Sequence, residues 1–264
     1  MRIVGAWLRV DLRLRWRSLA ALTMLIAIAT GAVLAATAGA RRGESAPARL
    51  SGPTLPADAT VLPNQPGFDW NRIRSLPEVA AVAEIAITEW TVEGLPPGSE
   101  APGFPLVGNE GMRSVERPVV LSGRMFDPAR PDEAVVTPVF VEKYHHGVGD
   151  AVTARLYTPG QVDGALSSDT PVAPAGPRQV LRIVGVVRSP WYYDQIGSDG
   201  GIQPTPAFTA RYRANLLGST QQIYVNAMIR LRHGEADVPL LVRDVARVTG
   251  RHDIDVWNNA DFAR

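Results

Sequence analysis

The sequence predicts an α+β protein in which one N-terminal transmembrane helix precedes a domain outside the cytoplasm. Three observations carry this prediction: an uncharged apolar run from Leu19 to Ala40, an arginine-rich stretch before it, and alternating strand and helix patterns after it. In that domain we expect a split β-α-β lobe formed from both ends of the region, and a β-rich lobe inserted between them.

The apolar run is long enough to cross a bilayer. Its 22 residues would reach about 33 Å as a helix, and the hydrocarbon core is about 30 Å thick. A cleaved secretory signal is the alternative, because Ala36, Ala38 and Ala40 form A-x-A-like patterns. The run is longer than a usual signal core, however, which favours a retained span over residues 19–40.

The residues before the span are basic. Residues 1–18 hold five arginines against one acid, Asp11, and short basic segments stay on the cytoplasmic side. We expect residues 1–18 to form a cytoplasmic amphipathic elbow at the cell membrane, with the chain after residue 40 outside. The side chains expected to contact lipid headgroups are Trp7, Arg9, Arg13, Arg15, Trp16 and Arg17. Simple topogenic charge explains the same arginines equally well.

Composition excludes some classes of function. Beyond residue 42 the chain carries 20 basic and 25 acidic side chains, so nothing indicates the concentrated basic face of a nucleic-acid-binding protein. The chain has no cysteine, which excludes disulfides, a cysteine nucleophile and a thiolate metal site.

Residues 41–56 are expected to be a linker, and residues 57–264 the domain outside the cytoplasm. Within it, residues 57–110 and 205–264 are predicted to form the α+β lobe, and residues 111–204 the inserted lobe. The strands are expected at 57–62, 79–92, 118–126, 133–138, 149–157, 179–189, 222–231 and 253–257. The helices are expected at 68–76, 139–146, 206–217 and 235–250, and residues 158–177 are expected to be a projecting loop.

Individual residues support these elements. Asp69 is suited to cap the first of these helices, and Pro77 to stop it. In the second strand region we expect Ile85, Ile87 and Trp90 to be buried, although its alanines are compatible with a helix.

Turn residues mark the inserted lobe. Gly147 fits a left-handed helix cap, and Gly149 with Asp150 fits a tight turn into the next strand. Arg124 and Glu133 are placed to pair across neighbouring strands, which would fix the register of the insert.

An ordered set of motifs runs along the chain: GARR at the end of the span, RSLPEVAAV, VVLSGRMFDPARPDEAVVTPVFVEKYHHGVGDAVTARL and VLRIVGVVRSP. This order resembles the first span and the MacB-like periplasmic core domain of FtsX-type ABC transporter permeases. The positions taken as fold markers are Gly123, Arg124, Asp132, Glu133, Gly149, Asp150 and Gly185.

The resemblance implies a membrane-anchored, non-catalytic permease component whose cytoplasmic ABC ATPase partner hydrolyses ATP. It also implies a permease dimer or an association with remaining permease segments. Family members have at least three further spans after the outer domain, and this sequence shows none beyond residue 40. We therefore expect a fragment, a truncated product or one part of a split permease.

An enzyme is not expected. The sequence has no G-x-S-x-G, H-E-x-x-H or G-x-x-x-x-G-K-[ST] motif. Glu142 with His146, and His252 with Asp253 and Asp255, are too few ligands for a metal site. We expect no cofactor, and the alternatives to a permease are a single-span anchored or secreted binding or sensor module and a hydrolase outside the cytoplasm.

One aromatic group has two interpretations. Trp191, Tyr192 and Tyr193 follow a strong strand and precede a glycine-rich segment. Exposed together, they would form a contact patch for a partner protein or a lipid tail; buried, they would be ordinary core packing.

Overall fold

The computed structural model describes residues 16–18, 20–37, 53–96, 98–99, 101–165, 172–188, 197–219 and 225–262. Residue contacts divide the chain into two compact units, Met1–Leu50 and Ser51–Arg264. The first unit contains a long helix, and the second contains two sheets with their helices.

The helix of the first unit, α1, spans Trp16–Thr37, and its described side chains are exposed. It has 22 residues and would cover about 33 Å, so it is long and apolar enough to cross a membrane. The helix begins three residues before the predicted Leu19. The predicted last residues, 38–40, lie outside the described part of the chain.

The second unit alternates short strands and helices. In chain order the described strands are β1 (Ala59–Leu62), β2 (Val79–Ala86), β3 (Thr91–Val92), β4 (Leu106–Val107), β5 (Val119–Gly123), β6 (Glu133–Val136), β7 (Ala151–Arg155), β8 (Arg178–Arg188), β9 (Ile202–Pro204), β10 (Val225–Leu231) and β11 (Asp255–Asn258). The described helices are α2 (Trp70–Arg74), α3 (Pro138–Tyr144), α4 (Pro159–Ala165), α5 (Pro206–Arg211), α6 (Arg213–Leu217) and α7 (Val238–Thr249), with 3₁₀ turns at Gly234–Asp237 and Asn259–Phe262.

The first sheet has the strand order β11-β1-β10-β2-β4, and all neighbours are antiparallel. Strands β1 and β2 therefore run parallel on either side of β10, and β10 and β11 run parallel on either side of β1. With α2 and α7 as the connecting helices, this is the split β-α-β arrangement that the sequence predicts. The α+β fold class is confirmed.

The predicted cap at Asp69 is present, whereas α2 ends at Arg74 with Ser75 as its C-cap, before the predicted stop at Pro77. The side chain of Asp69 accepts a hydrogen bond from the backbone N–H of Asn71 at 3.1 Å, which caps α2. Helix α7 ends at Gly250, whose φ of 69° is the left-handed conformation that glycine adopts without strain.

The cap of α3 differs from the prediction. His145, with φ 57°, takes the left-handed position at the end of α3, so the assignment of this role to Gly147 is wrong. The backbone N–H of Gly147 instead donates to Asp150 Oδ2 at 2.8 Å, which draws Gly147 into the following turn. In that turn Gly149 has φ 99°, so the predicted tight turn is confirmed.

The second sheet has the path β3-β7-β8-β6-β9, with β5 paired to β8. Strands β5 and β6 both pair with β8 at Gly185, and β6 and β7 both pair with it at Arg182. The long strand β8 therefore has β6 along one edge, and β7 followed by β5 along the other.

Three apolar clusters form the core of this unit, each between two packed layers of sheet or helix. Residues of α2 and α7 cover one face of the first sheet, through side chains such as Ile73 and Leu241. Helices α3, α5 and α6 cover one face of the second sheet. The third cluster lies between the sheets, where Met228 of the first sheet shares a core with Val135 and Val184 of the second.

The packing divides the two lobes differently from the sequence. Residues 205–217 were predicted to belong with the first sheet, but Phe208 of α5 and Leu216 of α6 lie in the core of the second. Trp90 and the short strand β3 join the second sheet as well, because β3 pairs with β7. The pairing of strands that are distant in the chain decides which lobe a segment joins, and the local sequence pattern does not predict that pairing.

Smaller differences have local causes. Ile85 and Trp90 are buried as predicted, whereas Ile87 is 41% exposed because the strand ends at Ala86. The expected loop 158–177 contains helix α4, whose Val162 is buried. The expected helix 206–217 is two helices divided at Tyr212.

Candidate functional site

The motif residues of the inserted region meet around the middle of strand β8. After β5 the chain turns at Gly123, which has φ 71°. The backbone N–H of Arg124 then donates to the carbonyl oxygen of Val184 at 2.9 Å. A Cβ atom added to Gly185 would collide with the carbonyl oxygen of Arg124. The chain therefore crosses β8 so closely that position 185 accommodates only glycine.

An ion pair closes this crossing. Arg124 Nη1 lies 2.8 Å from Glu133 Oε2, and Arg124 Nη2 lies 2.7 Å from Glu133 Oε1. The expected pair is thus present, with the two-point geometry that is the strongest arrangement for arginine and carboxylate. It does not join neighbouring strands as predicted, because β5 and β6 each pair with β8 and not with each other. The backbone N–H of Asp127 also donates to Glu133 Oε2 at 2.9 Å. The loop between β5 and β6 is consequently fixed at both ends.

The carboxylate of Glu133 is buried and fully engaged. Only 2% of its side chain is exposed, and Arg130 Nε lies 3.4 Å from its Oε1. The hydrogen bond from Arg124 is the main cause that lowers the pKa of Glu133 from 4.5 to about 2, and burial opposes it. Glu133 is therefore ionised across the physiological pH range and is unsuited to act as a general base there.

Asp132 joins the same crossing through its side chain and its backbone. Arg130 Nη2 lies 3.2 Å from Asp132 Oδ2, and this hydrogen bond lowers the pKa of Asp132. The carbonyl oxygen of Asp132 accepts from the backbone N–H of Arg182 at 2.7 Å. This contact ties the end of the crossing loop to β8.

Gly149 and Asp150 approach β8 from the turn before β7. The N–H of Gly149 donates to the carbonyl oxygen of Ile183 at 2.9 Å, and the N–H of Ile183 donates to that of Asp150 at 2.9 Å. A Cβ atom on Gly123 would lie 3.0 Å from Val148 Cγ2. All seven fold-marker positions therefore contact residues 182–185 or one another.

The arrangement has the chemistry of a structural clamp. Its charged groups neutralise one another, and its glycines allow backbone segments to touch. Sequence reasoning missed Arg130, the second arginine on Glu133, although its spacing three residues before the glutamate was available as a signal.

A second cluster anchors the chain between β8 and β9. Asp199 Oδ2 accepts from Ser99 Oγ at 2.7 Å and Asp199 pairs with Lys143, while Ser99 Oγ lies 3.1 Å from the hydroxyl of Tyr144. The hydrogen bond to Asp199 raises the pKa of Lys143. Sequence reasoning missed this cluster because Ser99 and Asp199 are far apart in the chain.

Several predicted site residues lie outside the described part of the chain: Trp191, Tyr192, Tyr193, Trp7, Arg9, Arg13 and Arg15. Their contacts with a partner or with lipid stay predictions. Trp16 and Arg17 begin α1 and are exposed, with the guanidinium of Arg17 5.8 Å from the centre of the Trp16 ring. That exposure is compatible with the predicted interfacial role.

The histidines take part in local contacts of the fold. Among the residues that the structure describes, no three His, Asp or Glu side chains are grouped to hold a metal ion. His145 instead serves as the helix cap, and His233 Nδ1 lies 2.9 Å from Asp237 Oδ2 at the start of α7.

No protein-family model matches the chain, and no curated protein matches it. The solved structures to which the chain is similar include the following two. The extracellular domain of the noncanonic ABC-type transporter YknZ from Gram-positive bacteria has 12% identity and a TM-score of 0.44, covering 76% of this chain and 100% of that one. The periplasmic region of MacB from Actinobacillus actinomycetemcomitans has 9% identity and a TM-score of 0.43, covering 78% of this chain and 90% of that one.

Proposed function

We propose that this chain is the membrane-anchored, non-catalytic component of an ABC transporter permease. It couples ATP hydrolysis by a cytoplasmic partner subunit to movements of a domain outside the cytoplasm. The observation that carries the proposal is the combination of α1 with a following unit whose two sheets share one core. A stiff body attached to a membrane helix is what the transmission of a mechanical displacement requires.

The stiffness has identifiable sources. Met228 and Val184, from different sheets, are at most 7% exposed and pack in the same cluster, so one sheet does not slide without opening that core. The clamp of Arg124 on Glu133 fixes the crossing of β8. Motion applied to one part of the unit is therefore passed to the rest.

The class of transporter is supported by the ordered motifs. They resemble those of FtsX-type permeases with a MacB-like periplasmic core, and their residues meet at the crossing over Gly185. ATP hydrolysis is assigned to a partner because the sequence has no phosphate-binding G-x-x-x-x-G-K-[ST] loop. The moved molecule would be a lipid, a lipoprotein, a peptide or a drug, or the motion would regulate a cell-wall enzyme.

Orientation follows from the arginines before α1. We place the N-terminus in the cytoplasm, with Trp7, Arg9, Arg13, Arg15, Trp16 and Arg17 against lipid headgroups, and residues 57–264 outside. Because the chain has no cysteine, single-cysteine labelling in intact cells is a clean test. A membrane-impermeant maleimide should label Glu142→Cys and should label Arg2→Cys only after lysis.

Co-purification tests the partner. The tagged chain, extracted from membranes of its own host in mild detergent, should retain a cytoplasmic ATPase. A matched chain with residues 1–40 replaced by an unrelated signal anchor should reach the membrane without that ATPase. Equal recovery of the ATPase by both chains, or recovery by neither, would contradict the proposal and favour an anchored binding or sensor module.

The number of copies in the purified complex tests the proposed pairing. Mass measurement of the complex should give either two copies of this chain or one copy with separate permease segments carrying further spans. One copy with the ATPase alone would contradict this part of the proposal.

A further inference from the structure

A cavity of about 100 Å³ lies against the first sheet, where β2 ends and β10 begins. Its floor consists of Glu84 on β2, Val107 on β4, which pairs with Glu84, and Val225 on β10. This is the face of the sheet that α2 covers, because Ala227, which pairs with Glu84, belongs to the core under α2 and α7.

The two walls of the cavity come from different layers of the unit. Phe68 and Trp70, at the start of α2, form one wall, and the centres of their rings are 4.7 Å apart. Arg213 and Leu217, four residues apart on α6, form the other wall. Because α6 covers the second sheet, the cavity exists only when the two sheets are packed together.

The cavity carries one unpaired positive charge. The carboxylate of Glu84 is engaged by Arg74. The guanidinium of Arg213 is exposed and has neither an ion pair nor a hydrogen bond to any residue in the part of the chain that the structure describes. A guanidinium in this position favours an anionic ligand, and it holds a carboxylate best through two parallel hydrogen bonds.

The size of the cavity restricts the apolar part of the ligand. A cavity of about 150 Å³ accepts a benzene molecule, so a volume of about 100 Å³ admits one aliphatic side chain and excludes a long acyl chain. The apolar residues around this space are Phe68, Val107, Leu217 and Val225. The ligand chemistry that fits is therefore an aliphatic side chain directly beside a carboxylate.

We propose that this cavity binds the C-terminal residue of a polypeptide whose last side chain is aliphatic. Arg213 pairs with the terminal carboxylate, and the side chain enters the space between α2 and α6. Capture of a C-terminal carboxylate is a recurrent mode of peptide recognition. Binding at this cavity does not require the ATPase, so its test is independent of the proposed permease role.

Fluorescence anisotropy on the full chain in nanodiscs measures this binding. The probe is a labelled peptide of glycine and serine that ends in leucine with a free carboxylate, and we expect a dissociation constant below about 1 mM. Arg213→Gln should weaken binding about tenfold or more, because it removes a charge-assisted pair.

Arg211→Gln is the matched control for this variant. Arg211 is exposed on α5, lies over the ring of Tyr212 and does not line the cavity, so the affinity should change less than about twofold. Equal losses in the Arg213 and Arg211 variants, or no saturable binding by the unmodified chain, would overturn the proposal.

Changes in the ligand separate the carboxylate from the side chain. A peptide that ends in leucine amide should bind about tenfold more weakly, because it offers Arg213 no charge. A peptide that ends in glycine should also bind more weakly, because it leaves the cavity unfilled. Equal affinity of either peptide with the original probe would overturn the proposal. Displacement of the probe by octanoate at lower concentrations than by acetyl-leucine would identify a fatty acid as the occupant instead.

Val107→Phe tests the place of binding. The larger side chain occupies the floor of the cavity, so the probe should no longer bind while the melting temperature of the chain is retained. Binding that survives this change would place the peptide elsewhere and overturn the proposal. If Val107→Phe prevents folding, the comparison of the Arg213 and Arg211 variants decides alone, because both arginines are exposed.

Discussion

The guanidinium of Arg124 and the carboxylate of Glu133 form a two-point ion pair, with distances of 2.8 and 2.7 Å, at the place where the chain crosses strand β8. The two residues belong to the ends of β5 and β6, which lie on opposite edges of β8. The ion pair therefore fixes the loop between β5 and β6, which strand pairing does not fix because the two strands are not hydrogen-bonded to each other.

Acid should weaken this pair. The pKa of Glu133 is about 2 in the fold against an ordinary value of 4.5, so the unfolded chain binds a proton first as the pH falls. The contribution of the ionised Glu133 to the free energy of unfolding is present above about pH 4.5 and is lost as the pH falls toward 2. We expect the melting temperature of the full chain in detergent, measured by circular dichroism, to fall over this range.

Glu133→Gln should lower the melting temperature at pH 7 and flatten its dependence on pH in the acid range. Arg124→Lys should give an intermediate result, because lysine keeps the charge and loses the two-point geometry. A slope in Glu133→Gln equal to that of the unmodified chain would contradict the role of this carboxylate.

Asp58 should behave in the opposite way. Burial is the main cause that raises its pKa, although the N–H of Leu231 donates to its Oδ2 at 2.7 Å. Its ionised form therefore costs stability at neutral pH, and protonation restores it. We expect Asp58→Asn, which keeps an acceptor for Leu231, to raise the melting temperature at pH 7. The gain should shrink in acid, and a lower melting temperature at pH 7 would contradict this account.

The crossing should not tolerate a side chain at position 185. In Gly185→Ala the new methyl group meets the backbone of Arg124, which has no freedom to withdraw. We expect a loss of about 3 kcal/mol or more in the free energy of unfolding, measured by urea denaturation. Gly164→Ala in α4 is the matched control, because nothing lies within 4 Å of the added atom. Similar losses in the two variants would argue against the close approach.

The two sheets should unfold together. Trp70 lies in the core of the first sheet and Trp90 in the core of the second, while Met228 lies in the core that they share. In chains that keep one of these tryptophans, the urea midpoints by fluorescence should coincide. Met228→Ala should lower both midpoints, with a loss of about 2–5 kcal/mol. A shift of the Trp70 midpoint alone would show two independent lobes.

A charge in α1 should prevent retention in the membrane. An arginine near the centre of a span costs about 3 kcal/mol, so Leu25→Arg should reduce the fraction of protein that resists carbonate extraction. Leu25→Met serves as the control. N-terminal sequencing of the mature protein distinguishes a retained span from a cleaved signal, since cleavage after Ala38 or Ala40 would remove α1.

Local features were predictable wherever a residue acts on its immediate neighbours. The cap at Asp69 and the turn at Gly149 follow from short-range geometry, and the structure contains both. The cap at Gly147 was wrong because the side chain of Asp150 captured its N–H. Ser99 and Asp199 are 100 residues apart in the chain and are brought together by the fold, so no local sequence pattern predicted their contact.

The sequence by itself determined the apolar helix, the excess of arginine before it and the order of the longer strands and helices, because these depend on runs and periods within a few turns of chain. The tertiary structure alone decided that β3, α5 and α6 belong to the second sheet and that the two sheets share a core. Those choices depend on pairing between distant strands. It is also the fold that brings Arg124 across β8, and this close approach is what makes Gly185 necessary.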